Sequence, residues 1–301
     1  MKVVLSGLFY SMAILRYFEA ALRRRDDVEL YTVGLDKGYW VPWKGGMVSK
    51  TETKILPVDL PLSNGSHINP FIPISYVENR LPFKPDLWLQ IDAGFYFEGR
   101  PQSGKNFIVG TDPHVLNYDR QRTYADKFFN MQKCYAKSGD EYLPYAFDPI
   151  WHAKEENVEQ AFDVCFLGLA YPQRVSVINA LKQKGVSVYN DLGPIYGEAR
   201  HLYNQAPVSF NWSSLLDLNA RAFELLGMGR LQVINRVPEL KDFFEDGKDL
   251  VVFENNLPEC VEKIQYYLAH KEEAQRIADQ GHKTVQPHTW DARVEQLLSM
   301  I

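Results

Sequence analysis

Three polar residues, Asn219, Arg221 and Glu224, occupy the first turns of a predicted helix that runs into Gly227-Met228-Gly229. Residues three apart share a helix face, so a surface ion pair between Arg221 and Glu224 is the simplest interpretation. The apolar neighbours of Glu224 place it instead at the border of a buried face, where a carboxylate needs hydrogen-bond donors. A ribose diol supplies two such donors, so we expect this helix to face a ligand.

A second candidate site begins at Phe166, where a predicted strand runs through a loop with Gly168 into a helix that carries Arg174 in its first turn. Free backbone N–H groups at a helix start, together with a guanidinium, suit a diphosphate. The alternative is that Arg174 simply faces solvent. The remaining donor-binding candidates lie close to the ends of predicted strands and are Gly7, Asn190 and Leu192.

The elements that must position these residues alternate between strand and helix. A helix over Met12–Arg24, with Ser11 as its N-cap, separates two apolar strands in a β-α-β opening. Further buried strands cover 85–92 and 107–110, and Asp112 and His114 follow the second. From Val164 the alternation restarts, with strands predicted at 164–167, 186–189, 208–211, 231–234 and 250–253 and helices at 173–184 and 196–205.

Two doubly wound α/β domains follow from this pattern, and polar residues after parallel strands are typical of ligand sites. We expect an amino-terminal domain over 1–148 and a carboxy-terminal domain over 149–285, which face each other across a cleft. Apolar residues recur at helical spacing in 289–301, so we expect the segment 286–301 to pack back on the first domain. The alternative is an ordinary terminal helix on its own domain.

Composition and missing motifs exclude several functions. The net charge of −5 gives no reason to expect nucleic acid as a partner, and Arg23-Arg24-Arg25 is read as the solvated end of a helix. Three widely spaced cysteines favour a reducing, cytoplasmic setting, and no run approaches the ~18 apolar residues of a membrane span. Dinucleotide and P-loop fingerprints are missing, as are histidine and Asp-x-Asp patterns typical of metal sites, so we expect neither cofactor nor metal.

The pattern Arg221-x-Phe223-Glu224-x-Leu226-x-Met228-Gly229, followed by Pro238-Glu239-Leu240, resembles the carboxy-terminal domain of GT-B glycosyltransferases. It is most similar to the CgeB-like (spore-maturation) branch related to glycosyltransferase family 4. The resemblance covers roughly Asp163–Ile301 well and the first half more loosely. It implies a GT-B fold and a metal-independent hexosyltransferase that moves a sugar from a nucleotide donor such as UDP-glucose, with retention of configuration and UDP as product.

The resemblance also implies residue roles. The glutamate that matches Glu224 binds the nucleotide ribose, and Gly168–Arg174 meet the diphosphate. Asp112 and His114 match polar residues on the acceptor side, where they would orient the acceptor or handle its proton; a turn position after Pro113 is the alternative for His114. Family 4 carries a second acid where this chain has Leu216, so a nucleotide-sugar-binding or regulatory protein without transfer activity is the alternative function. The acceptor is not identified.

Overall fold

The computed structural model describes residues 1–35, 40–43, 46–49, 57–62, 71–92, 96–213, 215 and 217–301. The chain forms two compact units. The first contains most residues up to Pro144 together with Trp290–Ile301, and the second contains Tyr145–Thr289.

The first unit is built on a parallel seven-stranded sheet in the order β11-β10-β9-β7-β1-β2-β5. Its central strands are apolar runs such as KVVLSG and LWLQID, which is typical of parallel strands buried on both faces. The strands before Pro144 are β1 Lys2–Gly7, β2 Glu29–Leu35, β3 Trp40–Trp43, β4 Gly46–Ser49, β5 Leu60–Leu62, β6 Phe71–Pro73, β7 Leu87–Asp92, β8 Tyr96–Glu98, β9 Lys105–Gly110, β10 Lys127–Asn130 and β11 Glu141–Tyr142. The helices of the unit are α1 Leu15–Arg23, α2 Ile74–Glu78, α3 Asp119–Tyr124, a 3₁₀ turn Lys133–Tyr135 and, from the end of the chain, α9 Trp290–Leu298.

Helix α9 packs on α1 within this unit. The Trp290 side chain is fully buried, stacks on Tyr17 at 5.4 Å between ring centroids and touches Phe18 at 5.0 Å. Arg24 donates two hydrogen bonds of 2.8 Å to the Asp291 carboxylate. The basic run is therefore not merely solvated, because part of it holds the terminal helix.

The start of α1 differs from the prediction. The helix begins at Leu15, its N-cap is Ile14, and no side chain caps it. Ser11 is buried in the preceding turn, where the Ala13 N–H donates to the Tyr10 carbonyl at 3.0 Å. Ser11 as the N-cap was therefore wrong, because a turn takes up the residues before Leu15.

The second unit has a parallel five-stranded sheet in the order β13-β12-β14-β15-β16. Its strands are β12 Val164–Leu167, β13 Val188–Asp191, β14 Val208–Asn211, β15 Leu231–Asn235 and β16 Val251–Phe253. Its helices are α4 Pro172–Gln183, α5 Tyr196–Asn204, α6 Ala220–Gly227, a 3₁₀ helix Pro238–Asp242, α7 Leu257–Ala269 and α8 Lys271–Val285.

Polar residues collect where these parallel strands end. Three strands end in a polar residue, Asp191, Asn211 or Asn235, and β12 ends at Leu167. One edge of the sheet therefore carries these residues together with the starts of α4 and α6. The core below that edge is apolar, with Phe166 stacked on Phe210 at 4.7 Å. The edge is therefore built on a packed apolar core, and its polar side chains can orient the residues around them.

Candidate functional site

The turn from β12 into α4 is shaped by Gly168. Its φ of +152° suits glycine, and its N–H donates to the Asp191 carbonyl at 2.9 Å. A Cβ at this position would overlap Nη2 of Arg221. Glycine is therefore required here by the backbone conformation and by the close approach of a guanidinium.

Two arginines lie side by side at this turn. Arg174 is only 7% exposed; its Nε donates to the Trp212 carbonyl at 3.0 Å and its Nη1 to the Leu169 carbonyl at 3.2 Å. Arg221 donates from Nη2 to the Leu167 carbonyl at 2.6 Å. Both guanidinium carbons lie over the Phe166 ring, at 5.5 Å for Arg174 and 4.9 Å for Arg221. The alternative that Arg174 faces solvent is thus wrong.

This arginine pair, Arg174 and Arg221, brings two positive charges together at the edge of the sheet. Within the described part of the chain, neither side chain forms an ion pair, and their hydrogen-bond acceptors are neutral carbonyl and amide oxygens. Burial, followed by the charge of Arg221, lowers the pKa of Arg174 to about 10. Asp217 acts in the opposite direction, but its carboxylate already accepts the Ser213 hydroxyl at 2.6 Å. An anion bound here would relieve the repulsion between the two guanidinium groups.

Glu224 sits one helical turn after Arg221 but does not pair with it, so the surface ion pair is wrong. Its Oε1 lies 3.7 Å from Nε2 of His152, and the Glu224 side chain is 19% exposed. The Glu224 carboxylate is therefore partly buried at the border of the apolar face, as its apolar neighbours in the sequence predicted. Arg221 lies against Gly168, and the short helix α6 carries both Arg221 and Glu224. These contacts join Glu224 to the Gly168 turn, which also leads to Arg174.

Three other candidates have different surroundings. Asn219 is the N-cap of α6, and its side chain exchanges hydrogen bonds with Asn211 at 2.9 and 3.3 Å. Asn190 is exposed and accepts from Lys182 of α4 at 3.0 Å. Leu192 is 7% exposed, and its N–H donates to the Asp191 carboxylate at 2.6 Å. Leu216 lies outside the described residues.

The remaining candidates lie in the first unit. Gly7 ends β1 and is packed against the Ile91 carbonyl. Asp112 accepts the Thr111 hydroxyl at 2.8 Å. Burial, followed by the Asp112 charge, raises the pKa of Tyr10 to about 12, so the tyrosine stays protonated at neutral pH.

His114 lines a cavity of about 290 Å³ in the first unit. Its Nδ1 is 3.1 Å from Oε1 of Gln132, whose amide nitrogen donates to the Thr111 carbonyl at 3.3 Å. That amide orientation makes Oε1 an acceptor, so Nδ1 carries the proton and Nε2 keeps a lone pair. In this tautomer, Nε2 of His114 can accept a proton.

The sequence did not identify His152 or Asn211 as part of the candidate site. It also did not indicate that the Phe166 ring lies beneath both guanidinium groups. His152 lies in a proline-flanked connector without periodicity, so no pattern pointed to it. Asn211 could have been found, because it ends a buried strand as Asp191 does.

The part of the chain that the structure describes has neither a cluster of metal ligands nor a membrane-spanning helix. No three His, Cys, Asp or Glu side chains there are grouped to hold a metal ion. No described helix is long and apolar enough to cross a membrane.

Comparisons with known proteins show the fold and match part of the chain to a family. Residues 153–299 match the family described as glycosyl transferase-like. A search of curated proteins finds no match. Among solved structures, sucrose-phosphate synthase from Thermosynechococcus elongatus is 12% identical with a TM-score of 0.65, and covers 100% of this chain and 98% of its own.

Two further solved structures are similar. HepE from Anabaena, solved with UDP-glucose, is 9% identical with a TM-score of 0.64 and covers 100% of both chains. An α-glucosyltransferase solved with UDP-glucose and DNA containing an abasic site is 10% identical with a TM-score of 0.64, and covers 99% of this chain and 97% of its own. The predicted α/β fold of GT-B type is thus confirmed. The match of residues 153–299 to the glycosyl transferase-like family agrees with the predicted class of enzyme, and the CgeB-like branch stays a prediction.

Proposed function

We propose that the protein transfers a sugar from a nucleoside diphosphate donor, foremost UDP-glucose, to an acceptor. The observation that carries this proposal is the arginine pair, which lies beside a glycine turn and one helical turn from Glu224. Two guanidinium groups that form no ion pair among the described residues suit a diphosphate, and a carboxylate nearby suits a ribose diol.

The diphosphate and the ribose of the sugar donor have proposed partners in the second unit. Arg174, Arg221 and the Gly168 turn bind the diphosphate, and Glu224 accepts from the two ribose hydroxyls. Asn219 and the region around Asn190 and Leu192 complete the donor side. The likeness to structures solved with UDP-glucose supports the choice of nucleotide.

The chemistry follows from the charges. The bond between the anomeric carbon and the diphosphate oxygen breaks, the acceptor oxygen bonds to that carbon, and the acceptor proton passes to a base. The arginine pair stabilises the negative charge that develops on the leaving diphosphate. Because two guanidinium groups supply this charge, we propose metal-independent transfer, with retention of configuration as the family resemblance implies.

The first unit is assigned to the acceptor side. Nε2 of His114 is the proposed proton acceptor, and Asp112 the group that orients the acceptor. No disulfide joins the three cysteines, which favours a reducing compartment, and we place the reaction in the cytoplasm.

UDP release from UDP-glucose tests the proposal, because active transferases hydrolyse their sugar donors slowly. The wild-type protein should release UDP, and Arg221→Met should abolish the release because it removes the guanidinium and keeps the bulk of the side chain. Arg236→Met is the matched control, since Arg236 is an exposed arginine of the same unit that pairs with Glu254.

Leu216, in place of an acid, favours the second candidate, a nucleotide-sugar-binding protein without transfer. UDP-glucose binding without UDP release, in the presence or absence of acceptor pools, would select this candidate. Wild-type release equal to that of Arg221→Met would contradict transfer at this site.

A further inference from the structure

A compact turn over Asp148–His152 fixes the ring of His152. The Asp148 carboxylate accepts the N–H groups of Ile150 at 2.9 Å and Trp151 at 3.0 Å. The His152 N–H donates back to the Asp148 carbonyl at 2.8 Å. These hydrogen bonds hold the turn together without any contribution from the imidazole ring of His152.

The turn also selects the tautomer of His152. The Asp148 N–H donates to Nδ1 at 2.9 Å, so Nδ1 is an acceptor and the proton of the neutral ring lies on Nε2. His152 is 8% exposed, and burial lowers its pKa although the carboxylates of Glu224 and Asp148 act in the opposite direction. The ring is therefore a neutral donor whose N–H faces Glu224.

Nε2 of His152 and Oε1 of Glu224 are 3.7 Å apart. This is longer than a hydrogen bond, and polar contacts of this kind in binding sites often tighten when a ligand binds. A neutral donor at this place restrains the carboxylate without cancelling its charge, so Glu224 keeps its capacity to accept from hydroxyl groups.

We propose that His152 is a positioning residue, which holds Oε1 of Glu224 so that the carboxylate accepts the ribose diol of the sugar donor. This role rests on the proposed function. Groups that orient the residues in contact with a ligand commonly change its affinity strongly. His152 acts through Glu224 and does not touch the nucleotide.

Two substitutions separate this role from a structural one. His152→Asn keeps an acceptor near the position of Nδ1 for the Asp148 N–H but has no atom that reaches Glu224. His152→Gln places an amide N–H near the position of Nε2 but has no acceptor at Nδ1. A positioning role predicts that Gln preserves nucleotide binding and Asn loses it, whereas a role in the turn alone predicts the reverse.

Calorimetric titrations with UDP and with 2′,3′-dideoxyuridine diphosphate measure the effect. We expect His152→Asn to weaken UDP binding about tenfold, to leave dideoxy-UDP binding unchanged, and to have no further effect in a Glu224→Ala background. His201→Asn is the control, because His201 also faces a glutamate, Glu155, at 3.0 Å but on α5. It should bind UDP as the wild-type protein does.

The proposal is overturned if His152→Asn binds UDP as wild type does, or loses both nucleotides equally. It is also overturned if Gln is the worse substitution. If wild-type protein binds UDP and Glu224→Ala weakens it, such results remove only the role of His152. If wild-type protein binds no UDP, the proposed function fails and this role fails with it.

Discussion

Alanine at position 168 should disable the arginine pair without unfolding the second unit. The new Cβ would overlap Nη2 of Arg221, which now donates to the Leu167 carbonyl at 2.6 Å. The overlapping atom is the far end of a flexible side chain, so Arg221 can rotate away. The substitution therefore moves a guanidinium and leaves the sheet edge in place.

The sizes of the two effects can be separated. Alanine at a φ of +152° adds backbone strain of about 1–3 kcal/mol to the folded state. Displacement of Arg221 would remove the proposed charge-assisted hydrogen bond to the diphosphate, worth about 1.5–3 kcal/mol of binding free energy. UDP affinity should therefore fall roughly 10- to 150-fold.

Calorimetry with UDP and urea unfolding measure both quantities. Gly185→Ala is the matched control, because Gly185 also has a positive φ, +80°, with open space around its Cβ position. It should lose stability and keep UDP affinity. Gly168→Ala should add nothing to the binding defect of Arg221→Met. Wild-type UDP affinity in Gly168→Ala, or equal losses in the two alanine variants, would refute this reasoning.

Three other outcomes are expected. Glu224→Ala should weaken UDP binding by about 1–3 kcal/mol with unchanged unfolding; calorimetry that returns the wild-type affinity would reject its ribose role. Trp290→Ala should lower the free energy of unfolding by about 3–5 kcal/mol, because the ring is fully buried against Tyr17, and a loss below about 1 kcal/mol in urea unfolding would contradict that packing. Burial holds the pKa of His152 below its unfolded value of 6.5, so the unfolded chain binds more protons and stability falls as the pH drops from 6.5 toward the folded pKa. Urea unfolding across this pH range should therefore show a weaker pH dependence in His152→Gln than in the wild-type protein. Equal pH dependence in the two proteins would count against the buried neutral ring.

The strands of the second unit could be predicted closely from sequence. The predicted strands 164–167 and 208–211 coincide with β12 and β14. The first is the apolar run VCFL, and the second, VSFN, alternates apolar with polar residues, so each carries a strand pattern in its local sequence. The start of α1 was predicted too early because a serine before a helical pattern is a weak signal when a turn competes for it.

The site was predictable in its residue types and less so in its contacts. Arg174, Arg221 and Glu224 follow strands of one sheet, so topology alone brings them to a common edge. Their partners depend on packing between distant segments: Arg221 meets the Leu167 carbonyl across 54 positions of sequence. The contact of His152 with Glu224 also depends on packing between distant segments. It could not be predicted because the connector that carries His152 has no periodic pattern.

Titration calorimetry of the wild-type protein with UDP and with uridine tests the arginine pair as a diphosphate site most directly. UDP should bind, and uridine, which keeps the base and the ribose diol but has no diphosphate, should bind far more weakly. Equal affinity for UDP and uridine, or no heat of binding with UDP at millimolar concentration, would contradict a diphosphate site formed by Arg174 and Arg221.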